Sequence, residues 1–98
     1  MVISMRVNRE LQGELVARAG CGLPWETTLA NLDRVAFPLL GALDPVGDAV
    51  FNHRQIPALL GELDRLPAER GGAWVAEVRA LCEVALRRPH HYLLFLGD

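Results

Sequence analysis

The first residues of the chain alternate between apolar and polar side chains. Ile3, Met5 and Val7 fall on one side of an extended chain, and Ser4 and Arg6 fall on the other. A period of two is typical of a β-strand with one buried face and one wet face. The segment is therefore predicted to form a strand in a relatively exposed part of a sheet.

A helical pattern is predicted directly after this strand. Asn8 can cap a helix through its side-chain oxygen, and Gly20 suits the position just past a helix end. The apolar residues between them recur at helical spacing: Leu11, Leu15, Val16 and Ala19. An N-terminal helix follows from this pattern, although Gly13 would weaken it by about 1 kcal/mol relative to alanine.

Two longer amphipathic segments lie in the second half of the chain. The first begins close to Gln55, has Pro57 in its first turn and ends before Pro67. Its apolar face comprises Ile56, Leu59, Leu60, Leu63 and Leu66, and its polar face comprises Glu62, Asp64 and Arg65. The second segment covers residues 73–88 and stops at Pro89. The two segments are predicted to form a helical hairpin.

An uninterrupted apolar run, residues 92–96, follows His90 and His91. It has the length of one buried strand and is too short to cross a membrane. Because both of its faces are apolar, we expect it to occupy a central position in the sheet. Asp98 would then bring carboxylates to one edge of the fold.

The middle of the chain has weaker signals. Pro24 can open a short helical turn, and residues 33–43 are expected to be irregular or briefly helical. Residues 44–48, Asp-Pro-Val-Gly-Asp, predict a turn, because proline presets φ and aspartate accepts bonds from the nearby backbone. A very short strand is expected over residues 49–51.

These elements predict an α+β fold. Its sheet would have two or three strands, packed against the helical hairpin and the N-terminal helix. The length of 98 residues fits a single domain, so residues 1–98 are assigned to one unit.

Composition narrows the classes of function. Hydrophobic residues make up 51% of the chain, a surplus that can cover a protein partner site or a self-association surface such as that of a homodimer. The net charge is −2 and no basic block is present, which argues against nucleic acid as a partner. The first residues lack the pattern of a secretory signal, so we expect a bacterial, cytoplasmic protein without a membrane partner.

Three oxygen-bearing residues, Asp44, Asp48 and Asn52, surround the predicted turn. Such residues can bind Mg²⁺ or Ca²⁺. Their spacing is not that of an EF-hand, and local roles account for all three: the aspartates in the turn, and Asn52 as a helix cap. No metal and no cofactor are therefore predicted.

Other polar residues are candidates for binding. His90, Tyr92 and Asp98 flank the last strand, and Asp98 is expected to lie beside the turn that contains Asp44 and Asp48. Like carboxylates held together would take up a proton or recruit a cation. These residues, together with Asn52, form the predicted binding set.

The two cysteines, Cys21 and Cys82, are far apart and form neither a zinc nor a redox motif. Cys82 falls on the apolar face of a predicted helix, whereas Cys21 lies between two glycines. No sequence signal places a histidine beside Cys21, so no catalytic residue is assigned.

Two motifs carry a resemblance. D-P-x-G-D-x-V-F-N over residues 44–52 and H-x-Y-L-x-F-x-G-D over residues 90–98 resemble motifs of a group of small uncharacterised bacterial proteins. The similarity extends from Phe37 onward. It implies a bacterial domain in which the turn and the last strand are neighbours, and it implies no enzyme class.

The leading hypothesis is a small interaction protein, of accessory, regulatory or immunity type, that acts by binding. The alternative is a small enzyme or a metal- or ligand-binding protein with its site at the 44–52 turn and the C-terminal edge.

Overall fold

The computed structural model of the protein describes residues 2–10 and 12–97. Its strands are β1 (Val2–Arg9), β2 (Leu15–Arg18), β3 (Leu23–Pro24), β4 (Asp48–Phe51) and β5 (His91–Leu96). Its helices are α1 (Trp25–Thr28), α2 (Ile56–Arg65) and α3 (Ala73–Leu86), with 3₁₀ turns at Leu40–Ala42 and Ala68–Arg70. The fold is α+β, as predicted.

The five strands form one antiparallel sheet. Four of them follow the order β2-β1-β5-β4, and β3 pairs with the first residues of β1 beside β2. The three predicted strands are present, but the sheet is larger than the two or three strands expected. The additional strands, β2 and β3, both lie along the same side of β1.

The predicted N-terminal helix is wrong, because Leu15–Arg18 form strand β2. The chain reverses at Gly13, where a Cβ would lie 1.7 Å from the carbonyl oxygen of Arg9. Glu10 adopts a positive φ of 58° in the same turn. Pairing with β1 satisfies the backbone of this segment, and a four-residue strand has little local signal of its own. Asn8 therefore lies within β1 and caps no helix; Leu11 is outside the described residues.

β5 occupies the central position expected of it. It pairs with β1 over six residues and with β4 over four. The side chains of Leu93 and Phe95 lie in the core, where the Phe95 ring meets that of Phe51 edge-on, with centroids 5.5 Å apart. β1 has the predicted wet face, but it is an internal strand and not a peripheral one.

The helices cover one face of the sheet. α2 and α3 pack on each other, and α3 contacts β5 and β1. The buried residues of both helices join a single core with the inward side chains of the sheet; on α3 these are Trp74, Val78, Leu81, Cys82 and Ala85. The helical hairpin is confirmed, with Pro57 in the first turn of α2.

The polar face predicted for α2 contains one error. Glu62 points inward, with 2% of its surface exposed. Its carboxylate accepts hydrogen bonds from the backbone N–H groups of Leu39 and Leu40, with Oε1 2.9 Å from the nitrogen of Leu40. Glu62 thus anchors the irregular segment before β4 to the helical layer. None of the helices in the described part of the chain has the length and hydropathy of a membrane span.

Candidate functional site

The 44–48 turn lies beside the last residues of β5. Asp48 is directly opposite Leu96, and the N–H of Gly97 donates to the carbonyl of Gly47 at 3.0 Å. The expected proximity of the turn to this end of β5 is therefore confirmed, although Asp98 lies outside the described residues. Asp44 has a local role, because its Oδ1 accepts the N–H of Val46 at 2.9 Å.

Asn52 also has a local role. Its Oδ1 accepts the N–H of Gln55 at 3.1 Å, while the Gln55 side chain accepts the N–H of Asn52 at 2.9 Å. This reciprocal pair has the geometry of a capping box and sets the entry into α2. The cap role expected for Asn52 is therefore present, and its side-chain oxygen is engaged with the backbone.

His90 and Tyr92 lie at the opposite end of β5 from Asp48. Five residue steps separate His91 from Leu96, which is about 17 Å along a strand. The predicted binding set is therefore divided between the two ends of the strand. A single cleft containing both Asp48 and His90 does not form.

A surface cleft of about 520 Å³ lies at the His90 end. It is lined by Arg9, Glu10, Val16, Arg88, His90 and His91. The N–H of Glu10 donates to the carbonyl of His90 at 2.6 Å, which ties the β1–β2 turn to the start of β5. Val16 is the unpaired residue of a β-bulge in β2, because Val7 faces Ala17 and the next residue of β1 faces Leu15.

His91 is the chemically distinctive residue of this cleft. It is 6% exposed, and its Nδ1 lies 3.0 Å from the carbonyl oxygen of Val84. A carbonyl can only accept, so in the neutral ring Nδ1 carries the proton and Nε2 presents a lone pair. Nε2 has no partner among the described residues and is not fully enclosed. The ring can therefore accept a hydrogen bond from a ligand.

The charges around the cleft largely offset one another. Arg9 forms an exposed ion pair with Glu14 at 2.9 Å. Glu10 and Arg88 also line the cleft, and Arg88 has no ion-pair partner in the described part of the chain. Within residues 2–10 and 12–97, no group of three or more His, Cys, Asp or Glu side chains is placed to hold a metal ion.

A second groove, of about 340 Å³, runs past Cys21 and the start of α3. The hydroxyls of Thr27 and Thr28 in this groove both donate to the carbonyl of Pro24. The other cysteine is fully enclosed, and burial raises the pKa of the Cys82 thiol to about 12. Cys82 is therefore a core residue that stays protonated at neutral pH.

The face of the sheet turned away from the helices is the third candidate, and we name it the outer face. Its side chains come from alternate positions of four strands: Ser4, Arg6, Asn8, Leu15, Arg18, Asp48, Val50, Tyr92, Leu94 and Leu96. In the described part of the chain the helices contribute their buried residues to the core on the inner side.

One row of side chains crosses all four strands of the outer face. Arg18 is opposite Arg6, Arg6 is opposite Leu94, and Leu94 is opposite Val50. Leu94 is 7% exposed although it is not part of the core, so its neighbours on the outer face shield it. An antiparallel sheet with one solvated face usually presents polar residues there, and β5 presents Tyr92, Leu94 and Leu96 instead.

The polar groups of the outer face are incompletely satisfied. Arg6, Arg18 and Asp48 have no ion-pair partner among the described residues. The Nε of Arg6 and the Oδ1 of Asn8 are buried without a hydrogen bond. Like charges placed directly opposite each other destabilise a sheet, and a buried unpaired polar atom adds to that cost. The outer face thus combines an apolar centre with unpaired charge.

Sequence reasoning missed Arg6 and Arg18 as a pair. Their proximity depends on β2, which the helical spacing of residues 11–19 concealed. The sequence signal for the β1–β2 hairpin was the pair Gly13-Glu14, because a glycine can reverse the chain between two short extended segments.

No protein-family model matches the chain, and neither the curated proteins nor the solved structures contain a significant match to it. The resemblance of residues 44–52 and 90–98 to small bacterial proteins therefore stays a prediction.

Proposed function

We propose that this protein acts by binding another polypeptide through its outer face, as a small interaction protein of accessory, regulatory or immunity type. The observation that supports this function is the apolar stripe of β5 on a sheet face without a helical cover. Leu94 in that stripe is 7% exposed, so the surface open to a partner comes from the partly exposed Leu96 and from Val50 beside it, which is 40% exposed. Contiguous apolar surface of this kind is typical of interaction sites.

The unpaired charges support the same function. Arg6 and Arg18 flank the apolar stripe on one side and Asp48 flanks it on the other. Interfaces commonly have an apolar centre with a polar rim, and arginine is enriched in them. A partner that supplies counter-charges would relieve the repulsion between the two guanidinium groups.

The proposed function can be tested with a matched pair of valine substitutions. Val50→Glu adds a charge to the outer face, whereas Val35→Glu adds the same charge to a residue that is 91% exposed in the loop before the first 3₁₀ turn. Tagged wild-type and variant proteins would be incubated with lysate of the source cell, and retained proteins quantified by mass spectrometry. We expect a specific protein, either a second copy or another chain, to be retained by wild type and Val35→Glu and lost with Val50→Glu. Equal retention by all three baits would contradict the proposal.

A second candidate function is binding of a small oxyanion at the His91 cleft. The favouring observation is the accessible Nε2 of His91 beside Arg88, which has no ion-pair partner among the described residues. A hydrogen phosphate ion could donate to the first and accept from the second. Phosphate titration at constant ionic strength, followed by the ¹⁵N shifts of His91, tests this function. The shifts should saturate in wild type and Arg87→Ala but not in Arg88→Ala; unchanged shifts in wild type would exclude phosphate.

A further inference from the structure

We propose that the outer face binds a second copy of this chain, with the two sheets packed face to face around a two-fold axis parallel to the strands. This inference rests on the proposed function and specifies the partner. It follows from the order of the strands and from the positions of three unpaired charges on them.

The outer face is electrostatically polarised from one edge to the other. The positive side is β2 and β1, where Arg18 and Arg6 lie opposite each other. The negative side is β4, where Asp48 is exposed one row away from Val50. Apolar side chains of β5 separate the two sides. Within residues 2–10 and 12–97 none of the three charged groups has an ion-pair partner.

A two-fold axis parallel to the strands exchanges the two edges of the sheet. The strand order β2-β1-β5-β4 then places β2 of one copy over β4 of the other, and β1 over β5. Arg18 would lie over Val50 of the partner subunit, one row, or about 7 Å along the strand, from Asp48 of the partner subunit, and symmetry would repeat this placement. Sheets that pack face to face lie about 10 Å apart, a gap that an arginine and an aspartate can bridge from opposite sides.

The same arrangement places apolar side chains at the centre. Leu94 and Leu96 of each copy would lie near the axis. Leu94 is 7% exposed within one copy, so the apolar surface available to the partner comes from the partly exposed Leu96 and from Val50. A two-fold interface uses the same patch twice, so each residue pair contributes two contacts. The outer face therefore carries both halves of a self-complementary surface.

The outer face is small for a protein–protein interface. Strands β2, β1, β5 and β4 have 4, 8, 6 and 4 residues. At about 3.3 Å per residue and a spacing of about 4.8 Å they cover roughly 350 Å². Stable interfaces bury about 800 Å² on each partner. The dimer should therefore be weak, with monomer and dimer in exchange at micromolar concentrations.

A charge exchange across the interface tests the inference. Arg18→Glu and Asp48→Arg each replace two attractive contacts by two repulsive ones, and the double variant R18E/D48R restores attraction with the signs reversed. Sedimentation velocity from 5 to 500 μM would give the dimerisation constant of each protein, with circular dichroism to verify folding. We expect each single variant to weaken dimerisation at least tenfold and the double variant to return within threefold of wild type.

Arg87→Glu is the matched control, because it makes the same change of charge on an exposed residue at the end of α3, in the helical layer. It should leave dimerisation unchanged. A wild-type protein that remains monomeric at 500 μM would overturn the inference. So would a dimer that neither single variant weakens, since its interface would then lie elsewhere, for example along the free edge of β4.

The lysate experiment with Val50→Glu separates failure of this inference from failure of the proposed function. If wild type is monomeric but retains a different protein that Val50→Glu loses, the outer face is an interaction surface with another partner. If wild type is monomeric and no retained protein depends on Val50, both proposals are wrong.

Discussion

The Glu62 carboxylate serves as a hydrogen-bond acceptor for the protein's own backbone. Both of its oxygens lie within 3.2 Å of the nitrogen of Leu39, and one also accepts from Leu40. Leu39 precedes a 3₁₀ turn whose first N–H groups have no partner within the turn. A carboxylate is suited to this task because it accepts several bonds at once and donates none. Glu62 thereby fixes a segment that otherwise has little regular structure.

Replacing Glu62 should destabilise the protein. Glu62→Ala leaves the buried N–H of Leu40 and the part-buried N–H of Leu39 without their acceptor, a change that typically raises the free energy of the folded state by about 1–3 kcal/mol. Glu62→Gln keeps one acceptor oxygen, so its stability should lie between that of Glu62→Ala and that of wild type. Urea denaturation measures the loss, with the exposed Glu69→Ala as a control expected to stay within about 0.5 kcal/mol of wild type. A Glu62→Ala protein as stable as Glu69→Ala would show that the carboxylate has no structural role.

Cys82 should make stability depend on alkaline pH. Burial raises the pKa of its thiol from 9.0 to about 12, with the nearby Arg79 opposing the shift and Glu83 adding to it. The folded state therefore retains a proton that the unfolded chain releases above pH 9. The resulting stabilisation is complete below pH 9 and is lost as pH rises toward 12, by up to about 1.4 kcal/mol per pH unit.

The measurement compares urea unfolding of wild type and Cys82→Ala between pH 8 and 10.5 in the presence of a reductant. The wild-type free energy of unfolding should fall more steeply than that of the variant. Parallel curves for wild type and Cys82→Ala would contradict the burial of the thiol.

At the scale of elements, the 44–48 turn and the end of β5 form one closely packed unit. A Cβ on Gly97 would lie 2.5 Å from the carbonyl oxygen of Pro45 and 2.6 Å from that of Gly47. The N–H of Gly97 simultaneously donates to Gly47. The atoms nearest to this Cβ belong to the backbone, so no flexible side chain can move aside to accommodate a methyl group.

Two glycine-to-alanine substitutions should therefore have opposite effects. Gly97→Ala should destabilise the protein by about 1–3 kcal/mol, as overpacking typically does. Gly61→Ala lies within α2, where the nearest atom to a new Cβ is the end of the Arg65 side chain at 3.6 Å, and should stabilise by about 0.5–1 kcal/mol. Thermal unfolding of the two variants and of wild type measures the direction of each change in stability. A Gly97→Ala protein at least as stable as wild type would show that the turn does not pack against β5 in solution.

Local patterns predicted the elements that are stabilised locally. Helices α2 and α3 have continuous apolar faces, and strand β5 is apolar throughout, so their positions follow from periodicity. Strand β2 is different, because only its long-range pairing with β1 distinguishes it from a helix. The inward turn of Glu62 likewise depends on a segment more than 20 residues away along the chain.

The candidate surface was only partly predictable for the same reason. The surplus of apolar residues indicated an interaction surface, and the turn at Asp48 was predicted near the end of β5. Arg18 lies opposite Arg6 because of the register between β2 and β1. The sequence pattern does not contain this register. The separation of His90 from Asp48 by the length of β5 has the same origin.

At the scale of the whole molecule, charge is organised by the sheet more than by the sequence. The chain has 10 arginines against 12 acidic residues, with no basic block. The sheet nevertheless brings two arginines together on one side of the outer face and leaves Asp48 on the other. A nearly neutral protein can therefore present a polarised surface to a partner.

Salt should weaken the proposed dimer. At 0.5 M ionic strength the Debye length falls to about 4 Å, so the rim contact between Arg18 and Asp48 of the partner subunit would be largely screened. Raising NaCl from 50 to 500 mM should increase the dissociation constant about threefold to tenfold, measured by sedimentation velocity. The Arg87→Glu protein should respond in the same way, whereas the salt dependence of R18E should reverse, because salt screens the repulsion between its carboxylates. Association that strengthens with salt would indicate a purely apolar contact.

The pairing of β1 with β5 has a consequence for how the protein acquires its shape. These neighbouring strands are separated by more than 80 residues of intervening chain. The entropy cost of closing so long a loop must be met before the contacts between the two strands lower the free energy. Topologies of this kind therefore fold slowly. While a ribosome is still synthesising the helices, the apolar side of β1 has no permanent neighbour, so the nascent polypeptide must stay free of aggregation until residues 91–96 emerge and complete the sheet.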